Sequence, residues 1–229
     1  MPQLSDIPLR QRKQAQTRLA LLDAVVARLD AARAFEDIGV KELCADVGIS
    51  EASFFNYFPK KTDLLVYFVQ IWSLDLAWRV RQDDATTCAR AAIETIFVST
   101  ARDVQKHPRV MAEILAHQAR LSEPPQPVDI PLAERLAAFP DRPGIETLAA
   151  VGLDGLLPPL IEQAVAQGEL PAGVDQQGAF LGLAAIFFGV PLILGRIDPA
   201  LVEPAYRQQL AIYWSGLQGH DTPQGKEAR

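Results

Sequence analysis

The chain has 229 residues, 49% hydrophobic and 22% charged, a balance that excludes a disordered polypeptide and allows a substantial core. Two cysteines are too few for a disulfide framework, and a formal net charge of −6 argues, as a total, against a nucleic-acid partner. The distribution reverses that last inference: residues 1–61 hold nine Lys or Arg against eight Asp or Glu, and the excess acidity lies beyond them.

A first helix is expected over Arg10–Arg33, where Leu19, Leu22, Val26 and Leu29 share one face. Arg10, Arg12, Lys13 and Arg18 at its start could form a basic arm against phosphate, or simply a solvated helix end. After the connection AFEDIG, Val40, Leu43, Cys44 and Val47 repeat the apolar spacing over a short second helix, which Gly48 should end in a left-handed conformation. Cys44 falls inside that stripe and reads as a small hydrophobe.

Ser50 is expected to cap a third helix, its hydroxyl meeting the amide near Ser53, with Glu51 suited to the positive helix start. Pro59 forces the end, because the residue before a proline is driven out of the helical region. Short helix, glycine turn, short helix is the pattern of a helix-turn-helix. Four aromatic rings crowd this third helix; Phe54 and Phe58, four apart, are expected to be buried, and the setting of Phe55 is open.

From Thr62 a long helix should act as a strut, and everything after it reads as helix. Candidates are Thr87–Lys106, Pro108–Leu121, Ile145–Gln167, Gln176–Leu194 and Pro199–Leu217. Ser122–Gly144, with six prolines, is expected as a loop holding one short helical piece over Leu132–Ala138. The uncharged run Gln176–Gly195 is read as a buried interface helix and not a membrane span: its apolar part is shorter than the roughly 17–25 residues that cross a bilayer.

On that run Gly178, Gly182, Ala185 and Gly189 form a stripe of small residues. With Leu201, Gln208 and Ile212 of the last helix they could build a homodimer interface, or instead pack within one subunit. Phe68, Trp72, Phe97, Met111, His117 and Phe187 could line a ligand cavity or be plain core. His117 is the candidate polar handle, and Arg102 or Arg120 an alternative for a carboxylate. The three histidines have no metal-ligand spacing and no catalytic motif is present, so no enzyme, cofactor or metal is expected. With two cysteines and no charged-then-apolar opening, a cytoplasmic setting is expected.

The segments LLDAVVARL, VKELCADVGIS and ASFFNYFPKKTDLL, spanning Thr17–Leu65 and followed by a helical body, resemble the TetR family of bacterial transcriptional regulators. The resemblance implies an all-α homodimer whose third helix enters the major groove of double-stranded operator DNA. Ser53 then takes the family's small-hydroxyl position, Asn56 its base-reading position, and Tyr57 and Lys61 its backbone-contacting positions. Ser50, Glu51, Ala52, Phe55, Lys60 and Arg18 complete the expected interface. Three departures stand out: Phe55 replaces a tyrosine, Gly39 replaces a capping Ser or Thr, and Arg33-Ala34-Phe35 lacks the glycine expected after the first helix.

The resulting expectation is a DNA-binding helix-turn-helix domain over 1–61, an effector-binding and dimerisation domain over 62–219 and a frayed tail over 220–229. The implied function is a regulator, usually a repressor, released by a small apolar or amphipathic effector. The alternative keeps the fold but replaces the effector with a protein partner.

Overall fold

The computed structural model describes residues 2–82, 88–121 and 129–219, and among them every regular element is helical. The helices are α1 (Leu9–Asp30), α2 (Val40–Val47), α3 (Glu51–Tyr57), α4 (Asp63–Gln82), α5 (Ala89–Lys106), α6 (Pro108–Arg120), α7 (Leu132–Ala138), α8 (Leu153–Ala166), α9 (Gln176–Leu194) and α10 (Val202–Gly219). The tail 220–229, expected to fray, and Thr87, the expected start of the fifth helix, lie outside the described residues.

Local chemistry explains where these helices begin and end. At the end of α1 the Ala32 N–H donates to the Leu29 carbonyl at 3.0 Å and the Arg33 N–H to the Arg28 carbonyl at 3.2 Å. This is the doubled closure that a left-handed residue permits, and Ala32 supplies it at φ 72°. The glycine absent from the sequence is therefore replaced by a strained alanine, and the helix stops earlier than Arg33. Gly48 takes φ 72° after α2 as expected, and Ser50 Oγ accepts the Ser53 N–H at 3.1 Å to start α3. Gly39 offers α2 no side-chain cap.

One expected helix is not continuous. Over Ile145–Gln167 the chain forms a single 3-10 turn, Ile145–Thr147, then extended backbone, and only from Leu153 the helix α8. The cause is Arg135, whose guanidinium takes the carbonyls of Glu146 (3.2 Å) and Leu148, acceptors that a helix would have used itself. Leu148 and Ala150 are drawn instead onto a cluster of Leu74, Leu136 and Ile145.

The chain forms two compact units. The first runs through Trp78 and resumes over Lys106–Gly152; the second comprises Arg79–Gln105 and the chain from Leu153 onward. In the first unit α1 is the hub, packed on α2, α6 and α7. Leu21, Val25, Leu29, Leu43, Phe54 and Phe58 are all buried there. Leu4 and Ile7, ahead of α1, pack on the Leu74–Leu136–Ile145 cluster, so the start of the chain belongs to the core.

In the second unit α9 packs between α8 and α10. Phe97, Phe187 and Tyr206 form a closed ring cluster with centroids 5.0–6.3 Å apart, and the Tyr206 hydroxyl donates to the Phe187 carbonyl at 2.6 Å. The small-residue stripe on α9 divides. The Tyr213 hydroxyl donates to the Gly178 carbonyl at 3.0 Å, and its ring occupies the space beside Gly182. A Cβ on Gly178 would meet Asp175, the residue that caps α9. These two glycines are thus used within the chain. Ala185, Leu201, Gln208 and Ile212 are exposed, and Gly189 faces open space. Around them Leu181, Leu192, Ile193 and Ile197 are each more than half exposed. At 19 residues and mean hydropathy 2.0, α9 is long and apolar enough to cross a membrane by length and composition only, a test that core helices also pass; 22% of its most apolar 18-residue window is buried in this chain.

Candidate nucleic-acid interface

The left-handed turn at Gly48 brings α3 back across α2, and its two faces separate cleanly. Phe54 and Phe58 are 0% and 1% exposed with ring centroids 5.9 Å apart, and Phe58 continues onto Tyr67 at 5.5 Å. These rings seat a helix too short to be stable alone. The opposite face presents Glu51, Ala52, Phe55 and Asn56, all exposed, with Tyr57 half-buried at its edge. Ser50 and Ser53 share a hydroxyl–hydroxyl hydrogen bond at 2.9 Å, so both serve the helix cap.

Two expected phosphate contacts have other partners. Lys61 Nζ donates to the carbonyls of Phe35 (2.7 Å), Ile38 (3.1 Å) and Glu36 (3.2 Å) and lies 4.6 Å from the Phe35 ring centroid. An ammonium has three N–H donors, and all three are spent on the turn between α1 and α2. Arg18 likewise points inward. Its guanidinium lies over the rings of Tyr67 (4.3 Å) and Phe58 (4.9 Å) and its Nη1 is 2.9 Å from Glu134 Oε1 on α7. Both side chains are thus held by partners within the first unit. Neither role was legible locally, because Phe35 and Glu134 lie 26 and 116 residues away.

Charge around the site follows the same division. Arg28 and Arg33 are neutralised by Asp46 and Glu42. The Arg33 guanidinium, with help from the Gly39 backbone and Arg28, holds the Glu42 carboxyl down at about 2. Burial pushes the Tyr67 hydroxyl up, and the neighbouring Glu134 carboxylate adds to this, so Tyr67 stays neutral beside Arg18. Arg10, Lys13, Lys41 and Lys60 are exposed and have no ion pair among the described residues; these are the cations an anionic partner would find.

The expected ligand residues divide between the units: Phe68, Trp72, Met111 and His117 lie in the first, Phe97 and Phe187 in the second. Phe97 and Phe187 belong to the closed ring cluster, whereas His117 keeps a buried Nε2 that has no hydrogen-bond partner among the described residues. A groove of about 380 Å³ in the second unit is lined by Thr95, Ser99, Arg102, Arg207 and Glu94 among others, and so includes the arginine considered for a carboxylate. Arg120 is paired with Glu36 at 3.5 Å. Among the described residues no three His, Cys, Asp or Glu side chains group as a metal site.

No family model matches the chain. Among curated proteins it is similar to the nucleoid occlusion factor SlmA of Pasteurella multocida, 28% identical over 134 residues, which cover 57% of this chain and 63% of that relative. The chain therefore spans less than two thirds of the relative it matches. Among solved structures it is similar to Thermus thermophilus FadR, a TetR-family transcriptional repressor in complex with lauroyl-CoA, at TM-score 0.63 and 18% identity, covering 91% of this chain and 98% of that one. A TetR transcriptional regulator from Rhodococcus sp. RHA1 follows at TM-score 0.56 and 17% identity, covering 86% and 96%. The resemblance read from the sequence thus holds at the level of architecture, and the chain has the all-helical fold of the TetR-family regulators, with a helix-turn-helix near its start and a helical body after it.

Proposed function

We propose that the chain is a ligand-responsive transcriptional regulator, acting as a repressor, that binds palindromic operator DNA as a cytoplasmic homodimer. The observation that carries this reading is α3 itself. A seven-residue helix is capped by Ser50 and anchored by two buried phenylalanines, and it presents Ala52, Phe55 and Asn56 outward. The fold it shares with FadR, a repressor that holds lauroyl-CoA, supports a small amphipathic effector. Dimerisation is supported by the apolar surface of α9 and α10, where Leu192, Ile193 and Ile212 are each at least 60% exposed. A two-fold axis would present two copies of α3 to one palindrome. Effector binding would act by favouring the arrangement of the two heads that fits DNA less well. Phe68, Trp72, Met111 and His117 are the effector residues proposed in the first unit, and Phe97 and Phe187 those in the second. No catalytic or cofactor role is proposed.

The test is enrichment of duplexes from a random pool by the purified chain, followed by titration of lauroyl-CoA as a probe into the complex. Recovery of a palindrome released by the acyl-CoA is expected. Recovery of no sequence would overturn the DNA-binding reading. The second reading, a DNA-bound protein governed by a protein partner, is favoured by the filled Phe97–Phe187–Tyr206 cluster and by the similarity to a nucleoid occlusion factor. It predicts a palindrome that no amphipathic small molecule releases.

A further inference from the structure

Phe55 is the ring of α3 that the core does not take: it is 48% exposed, while Phe54 and Phe58 on either side of it are fully buried. We propose that Phe55 is a specificity-determining residue that reads the C5-methyl group of a thymine in the major groove. The proposal rests on the DNA-binding reading above and deepens it.

The direction of the ring is set by the protein. Phe54 lies edge-on to it, with centroids 5.3 Å apart and planes at 84°, so a buried ring braces the exposed one. Ala52, three residues earlier on the same face, is exposed and small enough to admit a close surface, and the exposed amide of Asn56 follows directly. A phenyl group has no donor for a phosphate, and burying it against one would strip water from the oxygens without replacing it. Base edges in the major groove offer one apolar group, the thymine methyl, and a side chain like Phe55 gains by covering it.

The experiment uses duplexes enriched by the full chain from a random pool, with single thymines then replaced by deoxyuracil, a change that removes only the methyl. Binding should weaken about fourfold at one position in each half-site, the worth of one methylene-sized group returned to water. Phe55→Ala and Phe55→Ser should bind thymine and deoxyuracil duplexes equally, and both should remain folded, with a melting temperature lowered only by loss of the edge contact with Phe54. Tolerance of deoxyuracil at every position by the unaltered chain, or undiminished sensitivity in both variants, would overturn the role of Phe55 and leave DNA binding standing. Failure to enrich any duplex would remove both.

Discussion

The Tyr213 ring stands where a side chain on Gly182 would have to go: a Cβ built on that glycine lies 2.1 Å from the tyrosine hydroxyl and 2.3 Å from the ring carbon that bears it. The contact joins α9 to α10 within one chain. Gly182→Ala should therefore destabilise the fold by about 1–3 kcal/mol, the range of an overpacked contact. Gly189, which faces open space on the same helix, should accept alanine with no loss, or with a gain of up to about 1 kcal/mol from reduced backbone freedom. Urea midpoints of the two variants provide the comparison, and equal losses would show that Tyr213 moves aside.

Arg18 and Glu134 form an ion pair that is nearly closed to solvent on one side only, with side-chain exposures of 20% and 2%. Removal of the acid leaves a cation among rings. Glu134→Ala should cost about 2–3 kcal/mol, below the 3–5 kcal/mol of a fully buried pair because water still reaches Arg18. The double variant Arg18→Met with Glu134→Leu should lose less than the two single changes added together. Additive losses in that cycle would mean the pair contributes nothing as a pair.

Lys60 and Lys61 are neighbours with opposite assignments. Lys61→Met leaves three carbonyls unmet and should lower stability by about 1–3 kcal/mol, while the salt dependence of DNA affinity keeps its slope. Lys60→Gln should do the reverse: stability holds, and the slope of log K against log salt falls by about 0.9 for each phosphate no longer neutralised. A reduced slope for Lys61→Met would return that lysine to the DNA surface.

How much of this was legible in the sequence depends on how far apart the partners lie. The course of α2 and α3 could be read because Gly48, Ser50 and Pro59 act on their immediate neighbours, and the buried pair Phe54 and Phe58 follows from helical spacing alone. The split of the helix expected at Ile145 could not, because its cause is Arg135 reaching forward to carbonyls 11 and 13 residues away. The inward turn of Arg18 needed Glu134, which no spacing rule connects to α1. The small-residue stripe on α9 was visible as a pattern, but pattern does not say which partner fills it; Tyr213 does so at Gly178 and Gly182.

The left-handed Ala32 is a site of correctable strain. Ala32→Gly should raise stability by about 1 kcal/mol, because the closing bonds from Ala32 and Arg33 remain while the Cβ clash disappears. A lower melting temperature for this variant would mean that the freedom glycine brings to the unfolded chain outweighs the relief.

The acid limb of stability should report Glu42. Its folded carboxyl is held at about 2, below the ordinary 4.5, chiefly by Arg33. A depressed carboxylate stabilises the fold above its unfolded value and loses that effect as the pH falls through the folded one. Glu42→Gln should thus be less stable than the unaltered chain at about pH 6, with the difference shrinking below 4.5 and gone near 2. Urea midpoints taken at intervals between those limits measure it, and a difference constant with pH would remove the ion pair as its source.

The first unit is discontinuous along the chain, and that sets a timetable for its synthesis. Leu4, Ile7 and Arg18 leave the ribosome early, yet the residues they pack on, Leu136, Ile145 and Glu134, come much later. At about 5–20 residues per second, the 116 residues between Arg18 and Glu134 correspond to about 6–23 s of translation. Through that interval Arg18, which lies against the Phe58 and Tyr67 rings, lacks its Glu134 partner. A nascent chain arrested before Glu134 emerges should be cut by protease within α1, and one released past Gly152 should resist. The surface proposed to meet DNA is therefore synthesised well before Glu134, the residue that completes the packing behind it.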